Sequence, residues 1–236
     1  IVPGLGMALN TFTSPGDKVM IQPPVYGPFH WLNERGGRTL VTSPLKLVDG
    51  MYRMDMEAFR RDVKGCKVFI LCNPHNPGGV VWQEEELQEV ARICHDEEVL
   101  VFSDEIHADL TLPPYRHRPF AMISEEARMN SVTFMSPSKA FNMPGLSASH
   151  AIIPNPELRA RFRKFMDACE LDLGHAFAFL AVEAAYSNGT EWLEQCLAYI
   201  QGNVDYMDEY LKANAPKIKV VRPQASYLVW LDCREM

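Results

Sequence analysis

The chain reads KVFILCNPHNPGG from residue 67 to residue 79. The apolar run after Lys67 is typical of a strand that is buried on both faces of a sheet, and the prolines and glycines that follow predict a turn. Two further stretches have the same form: VLVFS at residues 99–103 continues into DEIH, and SVTFM at residues 131–135 continues into SPSK. Each of these three strands is therefore expected to end in a polar motif.

Apolar runs alternate with amphipathic stretches along the rest of the chain. Residues 84–97, for example, repeat apolar side chains with the helical period. Strands separated by helices argue for a mainly parallel sheet that is covered on both faces. We predict strands at 18–22, 39–42, 67–72, 99–103, 131–135 and 149–153, helices at 26–36, 54–63, 84–97, 156–169, 176–186 and 190–214, and a hairpin-like pair at 218–221 and 227–231.

The predicted fold class is α/β. Residues 1–190 are expected to form a three-layer α/β/α large domain with a mainly parallel sheet. Residues 191–236 are expected to supply an interdomain helix and the start of a smaller α+β domain. Neither Ile1 nor Met236 lies in a polar, loop-like stretch. We therefore expect the chain to be a piece of a longer protein, in which the large domain begins before Ile1 and the small domain continues.

The amino-acid composition limits the kinds of partner that the protein is expected to bind. The chain has 236 residues, of which 47% are hydrophobic and 22% are charged, and its formal net charge of −7 does not suggest a nucleic-acid partner. The six cysteines show no paired metal-ligand spacing, and no apolar stretch approaches the roughly 20 residues of a membrane span. We expect reduced thiols, a cytoplasmic location and no metal.

Polar residues follow three predicted strands directly. Ligands bind beyond the carboxyl ends of the strands in parallel sheets, so Asn76, Asp104 and Lys139 are expected at one edge. An unprotonated lysine can bond an aldehyde cofactor, and a carboxylate can keep a pyridine nitrogen protonated. Taken singly, these residues would be interpreted as a turn asparagine, a helix N-cap and a surface lysine. Together they favour a cofactor site.

Further residues carry weaker signals. Tyr26, in the stiff stretch PPVYGP, could stack on a planar cofactor or be a core aromatic. His107 is expected to hydrogen-bond to cofactor ring substituents or to Asp104. Ser136 and Ser138 could bind a phosphate, or they could serve only the turn around Pro137.

Three motifs together resemble a known family. NPHNPG at residues 73–78, SDEIH at 103–107 and SPSKAFN at 136–142 resemble a fold-type I enzyme of the class I/II aminotransferase superfamily, which uses pyridoxal 5′-phosphate (PLP). SDEIHADL at 103–110 and SKAFNMPGL at 138–146 resemble the MalY/PatB branch of cystathionine β-lyases. Ser147 stands where many aminotransferases carry a phosphate-binding arginine, which favours that branch.

The resemblance implies a role for each of these positions. It implies that Lys139 forms the Schiff base and acts as general base, that Asp104 pairs with the pyridine nitrogen, and that Tyr26 also takes part in catalysis. For binding of the cofactor it implies the set Lys139, Asp104, Asn76, Tyr26, His107, Ser136, Ser138, Ile1 and Val2. In this set, the amides of the first two residues hold the phosphate at a helix start.

The activity implied by the resemblance is cleavage of L-cystathionine or a related cysteine S-conjugate to a thiol, pyruvate and ammonia. An aminotransferase with the same residues is the alternative. A PLP-sensing domain of a transcription regulator is a further alternative, of another class. The resemblance also implies a homodimer and a substrate-carboxylate arginine beyond Met236.

Overall fold

The computed structural model describes residues 1–171 and 174–236. Its strands are, in chain order, β1 (Lys18–Ile21), β2 (Thr39–Thr42), β3 (Lys46–Val48), β4 (Met51–Arg53), β5 (Val68–Cys72), β6 (Leu100–Asp104), β7 (Ser131–Met135), β8 (His150–Ile152), β9 (Lys219–Val221) and β10 (Trp230–Asp232). Its α-helices are α1 (Val2–Phe12), α2 (Pro28–Arg35), α3 (Met56–Asp62), α4 (Glu84–Asp96), α5 (Glu125–Met129), α6 (Pro156–Ala168), α7 (Ala176–Asn188) and α8 (Thr190–Asn214).

The main sheet has six strands in the order β2-β1-β5-β6-β7-β8. The first five run parallel, which confirms the predicted mainly parallel sheet, and β8 runs antiparallel to β7. The helices between parallel strands are the crossover connections that such pairing requires. The carboxyl ends of β5, β6 and β7 therefore lie side by side.

Two apolar clusters cover the two faces of this sheet. Every residue of β5 is buried, and its side chains alternate: Val68, Ile70 and Cys72 join one cluster, whereas Phe69 and Leu71 join the other. Helices α1, α2 and α6 contribute to the first cluster, and α3, α4 and α5 contribute to the second. The predicted three-layer α/β/α architecture is thereby confirmed.

The last part of the chain forms a separate small sheet. Strands β9 and β10 pair antiparallel, which confirms the predicted hairpin-like pair. They follow α8, which has the predicted bounds. None of the helices in the described part of the chain combines the length and the apolar character that a membrane span requires.

Several elements were not predicted. Strands β3 and β4 form an antiparallel hairpin whose turn contains Asp49 and Gly50, both with positive φ. Helix α5 is five residues long and begins after Ser124, whose side chain accepts a hydrogen bond from the Ala127 amide. Helix α1 was expected only as the helix start that the resemblance implied at Ile1 and Val2.

Candidate active site

Asp104 lies at the centre of the edge formed by the strand ends. It is the last residue of β6 and pairs in register with Cys72 of β5 and with Phe134 of β7. The chain leaves all three strands within a few residues of these positions. Consequently the turn that contains Asn76 and the turn that contains Lys139 lie on either side of Asp104, as the sequence predicted.

The Asp104 carboxylate is buried, with 4% of the residue exposed. Its Oδ1 accepts a hydrogen bond of 3.1 Å from the Ile106 amide. Burial raises the pKa of this carboxyl to about 6, against the lowering effects of the Ile106 hydrogen bond and of the positive charge of Lys139. A carboxylate in this state favours a cationic or N–H partner, since such a partner would offset the cost of burying its charge.

Asn76 and His107 form the second part of the site. Asn76 Nδ2 lies 3.4 Å from His107 Nε2, and both residues are almost fully buried. Burial, followed by the charge of Lys139, lowers the pKa of His107 to about 4. The imidazole is therefore neutral near pH 7 and accepts from Asn76 through Nε2, which places its proton on Nδ1. Within the described residues Nδ1 is buried and has no hydrogen-bond partner.

Lys139 follows β7 in a tight turn and is half-buried. The turn is closed by a backbone hydrogen bond of 2.9 Å from the Phe141 amide to the Pro137 carbonyl oxygen. The Lys139 amine is close enough for its charge to affect the pKa of both Asp104 and His107. The structure therefore brings together an amine, a carboxylate and an imidazole from two separate motifs.

Ser136 and Ser138, the two serines of the lysine motif, differ in the hydrogen bonds that their hydroxyl groups make. Ser136 Oγ is buried and lies 2.5 Å from the Ala148 carbonyl oxygen, to which it can only donate. It also lies 2.8 Å from Ser138 Oγ and accepts from the Ser138 amide. Ser136 thus serves the turn, and because its one hydrogen goes to Ala148, the half-buried Ser138 hydroxyl donates to Ser136. Ser138 could bind a phosphate oxygen by turning that hydrogen from Ser136 to the ligand.

Ile1 and Val2 lie at the start of α1, on the same edge of the sheet. The backbone nitrogen of Ile1 lies close enough to Asp104 and Lys139 to be affected by the charges of both side chains. Amides in the first turn of a helix lack intrahelical partners and favour anions. These two residues are therefore placed beside the other predicted site residues.

Tyr26 lies in the turn after β1, the strand that neighbours β5. Its ring packs edge-on against the buried Phe29, with ring centroids 5.9 Å apart. The residue is 36% exposed, so Tyr26 is not a core aromatic, which was the alternative to a cofactor-stacking role. An exposed ring at this edge leaves surface on which a planar ligand could stack.

Sequence reasoning missed a buried carboxylate next to Asp104. Glu105 accepts hydrogen bonds from Ser103 Oγ and from the Phe120 amide, each 2.9 Å long, and its Oε2 lies 2.7 Å from His117 Nε2. This network lies on the sheet face opposite Asp104 and fixes the segment that follows β6. The signal available in the sequence was the second acidic residue of SDEIH.

Cys72 was also missed as part of the site. Its sulfur accepts a hydrogen bond of 3.3 Å from the Asn76 amide, and its neighbour in register is Asp104. Burial raises the pKa of this thiol far above its ordinary value, so it stays protonated. Cys72 therefore holds the start of the Asn76 turn.

Comparison with known proteins identifies relatives along nearly the whole chain. A family model described as aminotransferase class I and II matches residues 4–236. Cystathionine beta-lyase PatB of Bacillus subtilis (strain 168) is 44% identical over 234 residues, which cover 98% of this chain and 60% of PatB.

Two solved structures are similar in fold as well as in sequence. A PLP-bound protein of Clostridium difficile 630, named as a candidate aminotransferase, has a TM-score of 0.96 at 39% identity over 98% of this chain and 60% of its own. Cystalysin from Treponema denticola, which contains PLP, has a TM-score of 0.95 at 36% identity over 98% of this chain and 59% of its own. The chain thus spans about 60% of the length of these relatives.

Proposed function

Because the chain belongs to the aminotransferase class I and II family, we propose that the whole protein is a PLP-dependent carbon–sulfur β-lyase. Its substrate is L-cystathionine or a related cysteine S-conjugate, and its products are a thiol, pyruvate and ammonia. The observation that carries the proposal is that the Asp104 carboxylate is buried and close enough to the Lys139 amine for the lysine charge to lower its pKa. The 44% identity to a cystathionine β-lyase supports the choice of reaction.

The residues at this edge of the sheet fit PLP. When bound, PLP supplies an aldehyde that bonds an amine and a ring that accepts electrons from the Cα of an amino acid. Asp104 offers a carboxylate whose pKa is raised by burial, and an N–H or cationic partner would stabilise its charged form. Asn76 has an amide hydrogen beyond the one directed at His107, and His107 Nδ1 is buried and unpartnered within the described residues.

In the proposed reaction each residue acts through a stated atom. Lys139 Nζ is the amine for the cofactor aldehyde and, as a free amine, takes the proton from the substrate Cα. The Asp104 carboxylate would pair with the ring nitrogen of the cofactor and keep it protonated. The exposed Tyr26 ring would stack on the cofactor, and its hydroxyl would face the substrate.

The remaining residues hold the cofactor. Asn76 Nδ2 would donate to the phenolic oxygen of the cofactor, and His107 keeps the Asn76 amide in place. Ser138 and the amides of Ile1 and Val2 would hold the phosphate. We assign Ser136 to this region as well, through the hydroxyl contact that orients Ser138.

An aminotransferase with the same residues is the second candidate, and the description of the family favours it. The two reactions differ in whether they need a keto acid as amino-group acceptor. A β-lyase releases pyruvate from L-cystathionine without any keto acid, whereas an aminotransferase requires an acceptor. Ser147, which stands where many aminotransferases carry an arginine, supports the lyase.

We also propose the arrangement of the whole protein. Residues 1–190 belong to a PLP-binding large domain, and residues 191–236 contain an interdomain helix and the start of a small domain. The separate small sheet of β9 and β10 supports this division. The whole protein is proposed to be a homodimer that acts on an amino-acid substrate in the cytoplasm.

The first experiment is a visible absorption spectrum of the whole protein, followed by L-cystathionine with pyruvate and free thiol measured together. We expect a cofactor band and both products in the absence of a keto acid. Lys139→Ala should lower the rate of pyruvate release by about 100- to 10,000-fold, because it removes the base. Lys64→Ala, at an exposed lysine, is the control and should leave the rate unchanged.

Each part of the proposal fails separately. Pyruvate release by Lys139→Ala at the wild-type rate would refute the assignment of the base. A cofactor band without pyruvate or thiol would refute the lyase and favour the aminotransferase, which a keto acid would then reveal.

A further inference from the structure

We propose that Tyr227 is a positioning residue for His107 and, through His107, for Asn76. The ring centroids of Tyr227 and His107 are 6.0 Å apart, and the ring planes meet at 70°. This is an edge-to-face contact, which is the arrangement that aromatic rings prefer. His107 Nε2 in turn lies 3.4 Å from Asn76 Nδ2. The consequence for catalysis rests on the proposed function, whereas the packing does not.

Tyr227 is carried by a segment between β9 and β10, residues 223–227, here called the strap. The amides of Gln224 and Ala225 both donate to the Gly79 carbonyl oxygen, at 2.7 and 3.1 Å. The Gln224 side chain accepts from the Val81 amide at 2.9 Å. One side of the strap is therefore fastened to the segment that follows the Asn76 turn.

The other side of the strap is fastened to the segment that follows His107. The Ser226 amide donates to the Leu110 carbonyl oxygen, and the Leu112 amide donates to the Gln224 carbonyl oxygen, each at 2.9 Å. The strap thus bridges the two turns that carry Asn76 and His107. A ring mounted on it keeps its position relative to both of them.

Ser226 directs the ring towards His107. Its φ is +79°, a conformation that costs free energy for any residue other than glycine. The residue is 2% exposed, and its hydroxyl oxygen accepts a hydrogen bond of 3.2 Å from the Leu228 amide. The surrounding contacts hold this conformation, and the chain direction that results points Tyr227 at the imidazole.

His107 needs such a contact because its own hydrogen bonds do not fix its ring. The contact with Asn76 is long, and Nδ1 has no partner within the described residues. The ring of Tyr227 limits rotation of the imidazole and helps to keep water away from it. Burial lowers the pKa of His107 to about 4, from an ordinary value of 6.5, so loss of that cover has a measurable consequence.

The experiment follows the titration of His107 by NMR in the cofactor-free whole protein. Tyr227→Ala should move the pKa of His107 upwards towards 6.5, since water then reaches the imidazole. Tyr227→Phe keeps the ring and should leave that pKa where it is in the wild type. Tyr199→Ala is the matched control, because this tyrosine is 72% exposed on α8.

A second readout connects the packing to the site. With PLP added, Tyr227→Ala should weaken cofactor binding by about 2- to 10-fold, which corresponds to the loss of one aromatic pair. Tyr227→Phe should bind as the wild type does. Tyr227→Leu repeats both measurements if the alanine variant does not fold.

The results separate this inference from the proposed function. A His107 pKa that stays at the wild-type value in Tyr227→Ala or Tyr227→Leu would overturn the inference, whether or not the protein binds PLP. A Phe variant that shifts as far as the Ala variant would overturn it too, because the ring would then not be the cause. An upward shift in a protein that binds no PLP would support the packing and refute the function.

Discussion

Asp104 carries a charge that its surroundings do not fully offset. Burial raises its pKa to about 6, from an ordinary value of 3.8. Between these values the folded state binds more protons at this residue than the unfolded state, so its contribution to stability falls as pH rises. His107 acts in the opposite sense, since its folded pKa of about 4 lies below 6.5. Only a variant can separate the two effects.

Asp104→Asn in the cofactor-free protein tests this sign. The variant cannot ionise at this position. The difference between its free energy of unfolding and that of the wild type should therefore shift in favour of the variant as pH rises. The gain should be about 2 kcal/mol between about pH 4 and about pH 7. Urea denaturation of both proteins across this range measures it. Parallel pH profiles would show that Asp104 has no raised pKa.

The residues that could be predicted from the sequence are those that follow strands. The edge of a parallel sheet determines where Asn76, Asp104 and Lys139 lie once the strands are recognised. The contact of His107 with Tyr227 could not be predicted, because it depends on how the last part of the chain folds back. Glu105 was missed for a different reason: its partner His117 lies in a loop, where no periodic pattern indicates which residues meet.

At the scale of elements, Arg38 fastens the end of α1 to the turn between α2 and β2. Its guanidinium donates to the carbonyl oxygens of Leu9, Thr13 and Gly36, and its Nε donates to Thr13 Oγ1. Arg38 is buried, and it donates to the carbonyl oxygen of Thr13, the residue that ends α1, as well as to that of Leu9, which also accepts from the Thr13 amide. The same helix begins at the candidate phosphate site, so Arg38 also helps to hold that site in place.

Arg38→Met should lower the free energy of unfolding by about 2–4 kcal/mol, because it removes charged hydrogen bonds and leaves the carbonyl oxygens of Thr13 and Gly36 without the donor that they have in the wild type. Urea denaturation provides the measurement. Arg35→Met is the matched control, since Arg35 is exposed on α2 and packs over the Trp31 ring. Equal stabilities for the two variants would contradict this role of Arg38.

Many of the elements predicted from the sequence have a long periodic signal, whereas the short strands β9 and β10 were predicted from apolar runs on either side of Pro223. Strands β5 and β7 and helices α4 and α8 were found because apolar runs or helical periods extend over five or more residues. The hairpin of β3 and β4 was missed because its strands are three residues long and only partly buried. The antiparallel direction of β8 could not be predicted, since a three-residue strand gives no indication of its partner's direction.

At the scale of the 236-residue chain, burial is very uneven. Strands β5 and β6 lie between two apolar clusters. In the 25-residue helix α8, by contrast, Val204 is the buried residue, and Tyr199, Tyr206 and Tyr210 are exposed. Regions with few buried contacts open at low free-energy cost, whereas core strands open only when the whole domain unfolds.

Hydrogen exchange should reveal this difference in local stability and show whether the strap behaves like the core strands or like α8. We expect the amides of β5 and β6 to exchange slowest, and those of α8 and β10 to exchange faster by local opening. The strap should be the exception in the last part of the chain, because the Gln224 and Ala225 amides donate to Gly79 and are buried. Peptide-resolved exchange measured by mass spectrometry, with the exposed turn at Gly65 as the fast reference, gives the comparison. If strap amides exchanged as fast as those of β10, the small sheet would open as one unit with the strap. The ring of Tyr227 could not then keep a fixed position beside His107.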